Sequence, residues 1–239
     1  HSQLVTTDLG LATFSFIALY YLWKYVKNPT QKDIILSGLI LGLALVSKFS
    51  AVFLLPIFFI LTFVYVYKKY KNLGWPPKTV SLFKIILPIY GLAFLVIWGL
   101  YFFTSDPLFY WKGLKTVYAD SNVDYLYYLN GDFKSGGWWY YFLWAFIIKT
   151  PIPFLVALFA GLIYPVRSSL AEGSMRTRAK GASETSYGMD GLFIFFPVVL
   201  FLFMASWKAH NIGVRYILPI YPFLILFVSG WLSALGYKL

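Results

Sequence analysis

The chain has no cysteine, and charge of either sign is scarce: 20 Lys and Arg, 9 Asp and Glu and 2 His among 239 residues. Without thiols there is no disulfide, no cysteine nucleophile and no thiolate metal site. No Asp-Glu dipeptide occurs, the His, Asp and Glu residues show no metal-ligand spacing, and no Gly-rich phosphate loop is present. Charged residues make up 12% of the chain, against about 25% in a typical soluble domain. That deficit excludes an ordinary water-soluble fold.

What fills the space is hydrocarbon. Hydrophobic residues reach 60% and aromatics 22%, and they come in blocks such as "LATFSFIALYYLW", "IILSGLILGLALV", "AVFLLPIFFILTFVYVY" and "IILPIYGLAFLVIWGLYFF". Blocks near 20 residues match the hydrocarbon core of a bilayer. They do not alternate in polarity over about 10 residues, as barrel strands would. The fold class is therefore an all-α polytopic membrane protein. Seven spans are expected: about 8–25, two within 34–67 separated by "SKFS", then about 80–101, 151–166, 190–206 and 216–236. Gly38 and Gly42 form a small-xxx-small pair that admits a close helix neighbour.

The net charge of +11 sits in short loops between apolar blocks, which reads as an orientation signal and not as a nucleic-acid surface. With Asp8 outside, the loops 24–33, 68–84, 166–190 and the C-terminal end face inward and hold thirteen of the 20 Lys and Arg. The segment 102–137 is then an extracytoplasmic loop, and 167–189 a flexible, basic cytoplasmic loop. Within the former, Leu108, Trp111, Leu114 and Tyr118 recur at helical spacing and predict a juxtamembrane helix. "YLNGD" predicts a tight reversal at its Asn-Gly, and Trp138 and Trp139 suit an interfacial belt. Thr150-Pro151 predicts a break, with Thr150 capping a helix that begins at Pro151.

Four stretches, "LVTTDLGLATF", "GLILGLALVSKFSAVFLLP", "YLNGDFKSGGWWYYFLWAFIIKTPIP" and "NIGVRYILPIYPF", resemble in order the protein O-mannosyltransferase-like glycosyltransferases. These are prokaryotic relatives of dolichyl-phosphate-mannose–protein mannosyltransferase and of the aminoarabinose transferase of lipid A. The resemblance implies a GT-C-type bundle of about seven transmembrane helices plus a juxtamembrane helix, with 1–239 forming part of one transmembrane domain. It implies an inverting enzyme that moves a mannose-like sugar from a polyprenyl (dolichyl or undecaprenyl) phosphate donor to a protein or lipid acceptor at the extracytoplasmic face. The setting expected is a multi-pass protein of a prokaryotic plasma membrane, the endoplasmic reticulum being the alternative. The family's base lies in an Asp-Glu pair of the first extracytoplasmic loop. That loop falls upstream of the matched region, so the expectation is a central fragment, inactive alone, with the N-terminal catalytic loop and the C-terminal end missing. A transporter or flippase, or a non-catalytic assembly subunit, is the rival reading.

The candidate site residues follow. Asp8 matches the family's second acidic position and is the candidate catalytic carboxylate; its plainer role is to cap a helix. Arg215, Lys149 and Lys48 are cations at apolar edges on one side, suited to a lipid phosphate, although each also suits a snorkelling anchor. Asn211 adds a hydrogen bond, and His210 is the neighbouring candidate. No cofactor is implied; a divalent metal is compatible with the acidic positions.

Overall fold

A computed structural model describes residues 7–71, 74–103, 106, 108–120, 125–163, 189–208, 211 and 213–236. The expected loop 167–189 lies, but for Met189, outside the described residues, as does His210.

The first helix, α1 (Thr7–Lys27), carries Asp8 in its first turn and Lys24 and Lys27 in its last, each charge opposing the local end of the helix dipole. Thr30 caps α2 (Gln31–Ser47), its hydroxyl accepting the Asp33 N–H at 3.2 Å. The pair is antiparallel: Lys24 meets Asp33 at one end, and Lys48 meets Asp8 at the other. Between them the Ser37 hydroxyl donates to the Ala18 carbonyl, 3.0 Å away.

"SKFS" breaks the apolar run as expected. Lys48 adopts an extended conformation (φ −160°, ψ 137°), a 3₁₀ turn covers Phe49–Phe53, and α3 (Leu54–Lys69) returns. Tyr65 of α3 meets Tyr25 of α1 with ring centres 6.4 Å apart, so α3 ends where α1 ends. Helix α4 (Trp75–Leu100) packs on α2 through the two glycines. A Cβ on Gly42 would lie 2.6 Å from the Val96 Cβ, and one on Gly38 2.8 Å from the Ile89 carbonyl oxygen. Only glycine permits backbones this close.

Helix α4 ends in two left-handed residues, Phe102 (φ 57°) and Phe103 (φ 52°), with the Phe103 N–H bonded to the Trp98 carbonyl at 2.9 Å. The helix expected in this segment is present as α5 (Phe109–Asp120). Its inner face is not the expected stripe: Tyr110 and Leu114 are buried while Leu108 and Trp111 are exposed. The Tyr110 hydroxyl donates to the Leu45 carbonyl, and Gly113 lies on the Phe49 ring. These contacts hold α5 over the Lys48 end of the bundle.

A hairpin follows, β1 (Leu126–Leu129) and β2 (Asp132–Ser135), so the described fold is helical with one two-stranded ribbon. Its turn is the expected Asn-Gly, both residues at positive φ (52° and 100°), as a type I′ turn requires. The chain then breaks at Thr150-Pro151: α6 (Tyr141–Lys149) and α7 (Ile152–Ile163) are bent by 116°. Thr150 places its hydroxyl 2.9 Å from that of Tyr221. Helix α8 (Asp190–Lys208) and α9 (Tyr221–Gly236), the latter led by a 3₁₀ segment Val214–Ile220, complete the bundle.

Among the described residues, five helical stretches are long and apolar enough to cross a membrane, or six counting the bent pair. The sequence reading expects seven. The difference is α2, whose 17 residues reach about 26 Å, short of a ~30 Å hydrocarbon core. The core joins all these helices; Leu41, Leu54, Ile57, Phe58, Ile89 and Ile217 are fully buried in it.

Candidate functional site

Lys48 occupies an extended link between two helical segments, which turns its side chain across the bundle end. Its ammonium pairs with the carboxylate of Asp8 and also lies 4.4 Å from the centre of the Tyr216 ring. The Arg215 guanidinium lies 5.4 Å from the same ring centre, so the two cations fall within about 10 Å of each other, each in the range where a ring quadrupole attracts a cation. Asp8 is nearly buried, its side chain 7% exposed; Lys48 is 21% exposed, and Arg215 is open to solvent. The cluster thus holds two positive charges against one carboxylate. Its excess charge sits on Arg215, which has no acidic partner among the described residues.

The 3₁₀ segment that carries Arg215 and Tyr216 begins after Gly213, at φ 114°. The preceding Asn211 is buried and donates its amide N–H to the Trp138 carbonyl at 3.1 Å. Gly137 (φ 69°) makes room for that amide: a Cβ there would overlap the Asn211 side chain and press on the Tyr127 ring at 3.1 Å. Tyr127 of the hairpin is buried, and that burial pushes its phenol above the ordinary value, with a smaller contribution from Tyr216. Phe142 of α6 closes another side of Tyr216 at 6.2 Å. Four distant parts of the chain meet around one ring.

The structure brings together Asp8, Lys48 and Arg215, with Asn211 supporting the segment from behind. Lys149 is separate. It is exposed at the end of α6, next to Thr150, which contacts Tyr221, and no contact joins it to the cluster among the described residues. Tyr216, Tyr127, Gly137 and Trp138 were not legible as site residues. An aromatic after Arg215 reads as interfacial belt until Lys48 is seen on the same ring. No group of three or more His, Cys, Asp or Glu able to hold a metal occurs among the described residues. A cavity of about 540 Å3 lies toward the other end, walled by Phe16, Leu19, Trp23, Phe193 and Phe223 and reaching Asp190; it is distinct from the charged cluster.

Residues 1–98 match the dolichyl-phosphate-mannose-protein mannosyltransferase family. The motif resemblance is borne out over that stretch. The match to this mannosyltransferase family takes in Asp8 and Lys48 and most of α4; Asn211 and Arg215 lie outside it. No curated protein and no solved structure matches the chain.

Proposed function

We propose that this protein is a membrane glycosyltransferase, and that Lys48 and Arg215 hold the phosphate of a polyprenyl-phosphate sugar at the extracytoplasmic face. The observation that carries the reading is the pair of cations on Tyr216, one fixed by Asp8 and one with no acidic partner among the described residues, at the bundle end that also bears α5 and the hairpin. The asymmetry of Lys and Arg among the loops supports placing that end outside.

In the transfer, an acceptor hydroxyl oxygen bonds to the anomeric carbon while the bond from that carbon to the phosphate oxygen breaks. The electron pair leaves with the phosphate, whose growing charge Lys48 and Arg215 neutralise. The hydroxyl proton passes to a carboxylate. Asp8 was the candidate for that task from the sequence; its carboxylate is occupied by Lys48 here, so we assign it as a positioning residue that aims the ammonium. A planar guanidinium offers the phosphate two parallel hydrogen bonds, which an ammonium cannot reproduce. In the full-length enzyme, sugar transfer in membranes should therefore fall by well over tenfold in Arg215→Ala, from about 2–5 kcal/mol of lost pairing, with only part recovered in Arg215→Lys. An anchoring role predicts full activity per folded protein in the lysine variant, and that result would remove the phosphate assignment.

A further inference from the structure

The hairpin has an open edge beside the charged cluster. Its register pairs Leu129 with Asp132, Tyr128 with Phe133, Tyr127 with Lys134 and Leu126 with Ser135. A two-residue turn closes on a hydrogen-bonded pair, here Leu129 and Asp132, and bonded pairs then alternate. The bond from the Gly136 N–H to the Tyr125 carbonyl, 3.2 Å, continues that alternation. The backbone N–H and C=O of Phe133 and Ser135 consequently point away from β1. All four β2 residues are exposed, whereas Tyr127 of β1 is buried toward Tyr216. Among the described residues no backbone hydrogen bond takes up these outward groups. Two residues beyond β2, Gly137 touches Asn211, which precedes the Arg215 segment.

Resting on the glycosyltransferase reading, we propose that β2 is the docking edge for an extended acceptor polypeptide, which adds as a third strand through Phe133 and Ser135. Outward donors and acceptors repeating every second residue, about 6.8 Å apart, are what an extended peptide satisfies. A lipid chain would leave them unsatisfied, which a backbone in hydrocarbon does not tolerate. The rings of Tyr128 and Phe133, 5.2 Å apart on the outward face, form a platform for alternate acceptor side chains. A strand bound there carries its hydroxyl residues past Asn211 toward Lys48 and Arg215.

The test uses the chain in nanodiscs and a labelled, blocked seven-residue peptide of alternating threonine and alanine. N-methylation of one alternate set of amides should weaken binding at least tenfold, and methylation of the other set should leave it within about twofold. Ser135→Pro removes an outward N–H without touching the bonds to β1 and should weaken the unmodified peptide to the same degree. Equal effects of the two methylation patterns, or wild-type binding by Ser135→Pro, would overturn the proposal, as would quenching of a Phe133→Trp fluorophore by brominated lipid, which would put this face in the bilayer. Polyprenyl phosphate binding measured on the same samples keeps the two claims apart. Its loss in Arg215→Ala with peptide binding indifferent to Ser135→Pro refutes the strand edge alone; its retention refutes the donor site.

Discussion

Lys48→Met leaves the Asp8 carboxylate nearly buried with no cation beside it. Removing one partner of a buried ion pair costs about 3–5 kcal/mol, because the surviving charge has lost its water and its counter-ion together. The reverse change is milder. Asp8→Asn leaves Lys48, whose side chain is three times as exposed (21% against 7%) and still lies on the Tyr216 ring; that exposure screens the charge and brings the cost down to about 1–2 kcal/mol. At about 2–4 °C per kcal/mol for a chain of this size, thermal unfolding in detergent should drop by about 6–20 °C in Lys48→Met and by several degrees less in Asp8→Asn. The double variant should recover part of the loss, with a coupling of about 1–3 kcal/mol. Equal destabilisation by the two single variants, or strict additivity in the double, would refute the pairing and with it the mechanism that aims Lys48.

Other outcomes follow from separate parts of the molecule. Gly42→Ala drives a methyl group into Val96 and the Ala93 carbonyl, and overpacking of this kind should cost about 1–3 kcal/mol, read as a lower unfolding temperature. Asp106 is held below the ordinary carboxylate range by the hydrogen bond from Lys112 and then by the Leu108 N–H. A depressed carboxylate stabilises its fold above the unfolded pKa and loses that contribution as pH falls through the folded value. The start of α5 should therefore open to proteolysis as pH drops below the usual aspartate range, and Asp106→Asn should abolish the dependence. For orientation, Lys115→Cys should react with an impermeant reagent in intact cells and Lys71→Cys should not; the opposite pattern would turn the proposed site to the cytoplasm.

The helical hairpins and their breaks were readable because they rest on strong local signals. Lys48 interrupts 34 residues of hydrocarbon, Pro151 cannot continue a helix, and Gly38 and Gly42 lie one turn apart on one face. The strands were not readable. Four residues such as Leu126–Leu129 are too few to show a period, and only the Asn130–Gly131 turn announces them. The run before Lys48 was counted as a span because apolar content alone does not show that the helix it forms, 17 residues long, falls short of a bilayer core. The site was half legible: Asp8, Lys48 and Arg215 announce themselves as charges at the edges of hydrocarbon. Lys149 carries the same signal but ends on another helix, near Tyr221. Tyr216 carries none, since its role arises only when segments 168 residues apart in sequence (Lys48 and Tyr216) fold onto the same ring.

The proposed hold on a lipid phosphate rests on Lys48 and Arg215 acting together. Its most direct test is the preference of the solubilised chain for a short-chain polyprenyl phosphate over the matching polyprenol, measured by binding isotherm for the natural chain and for Arg215→Ala. The natural chain should prefer the phosphate by well over tenfold, and Arg215→Ala should lose most of that preference while binding the alcohol unchanged. A phosphate preference that survives in Arg215→Ala would contradict a phosphate site at Arg215.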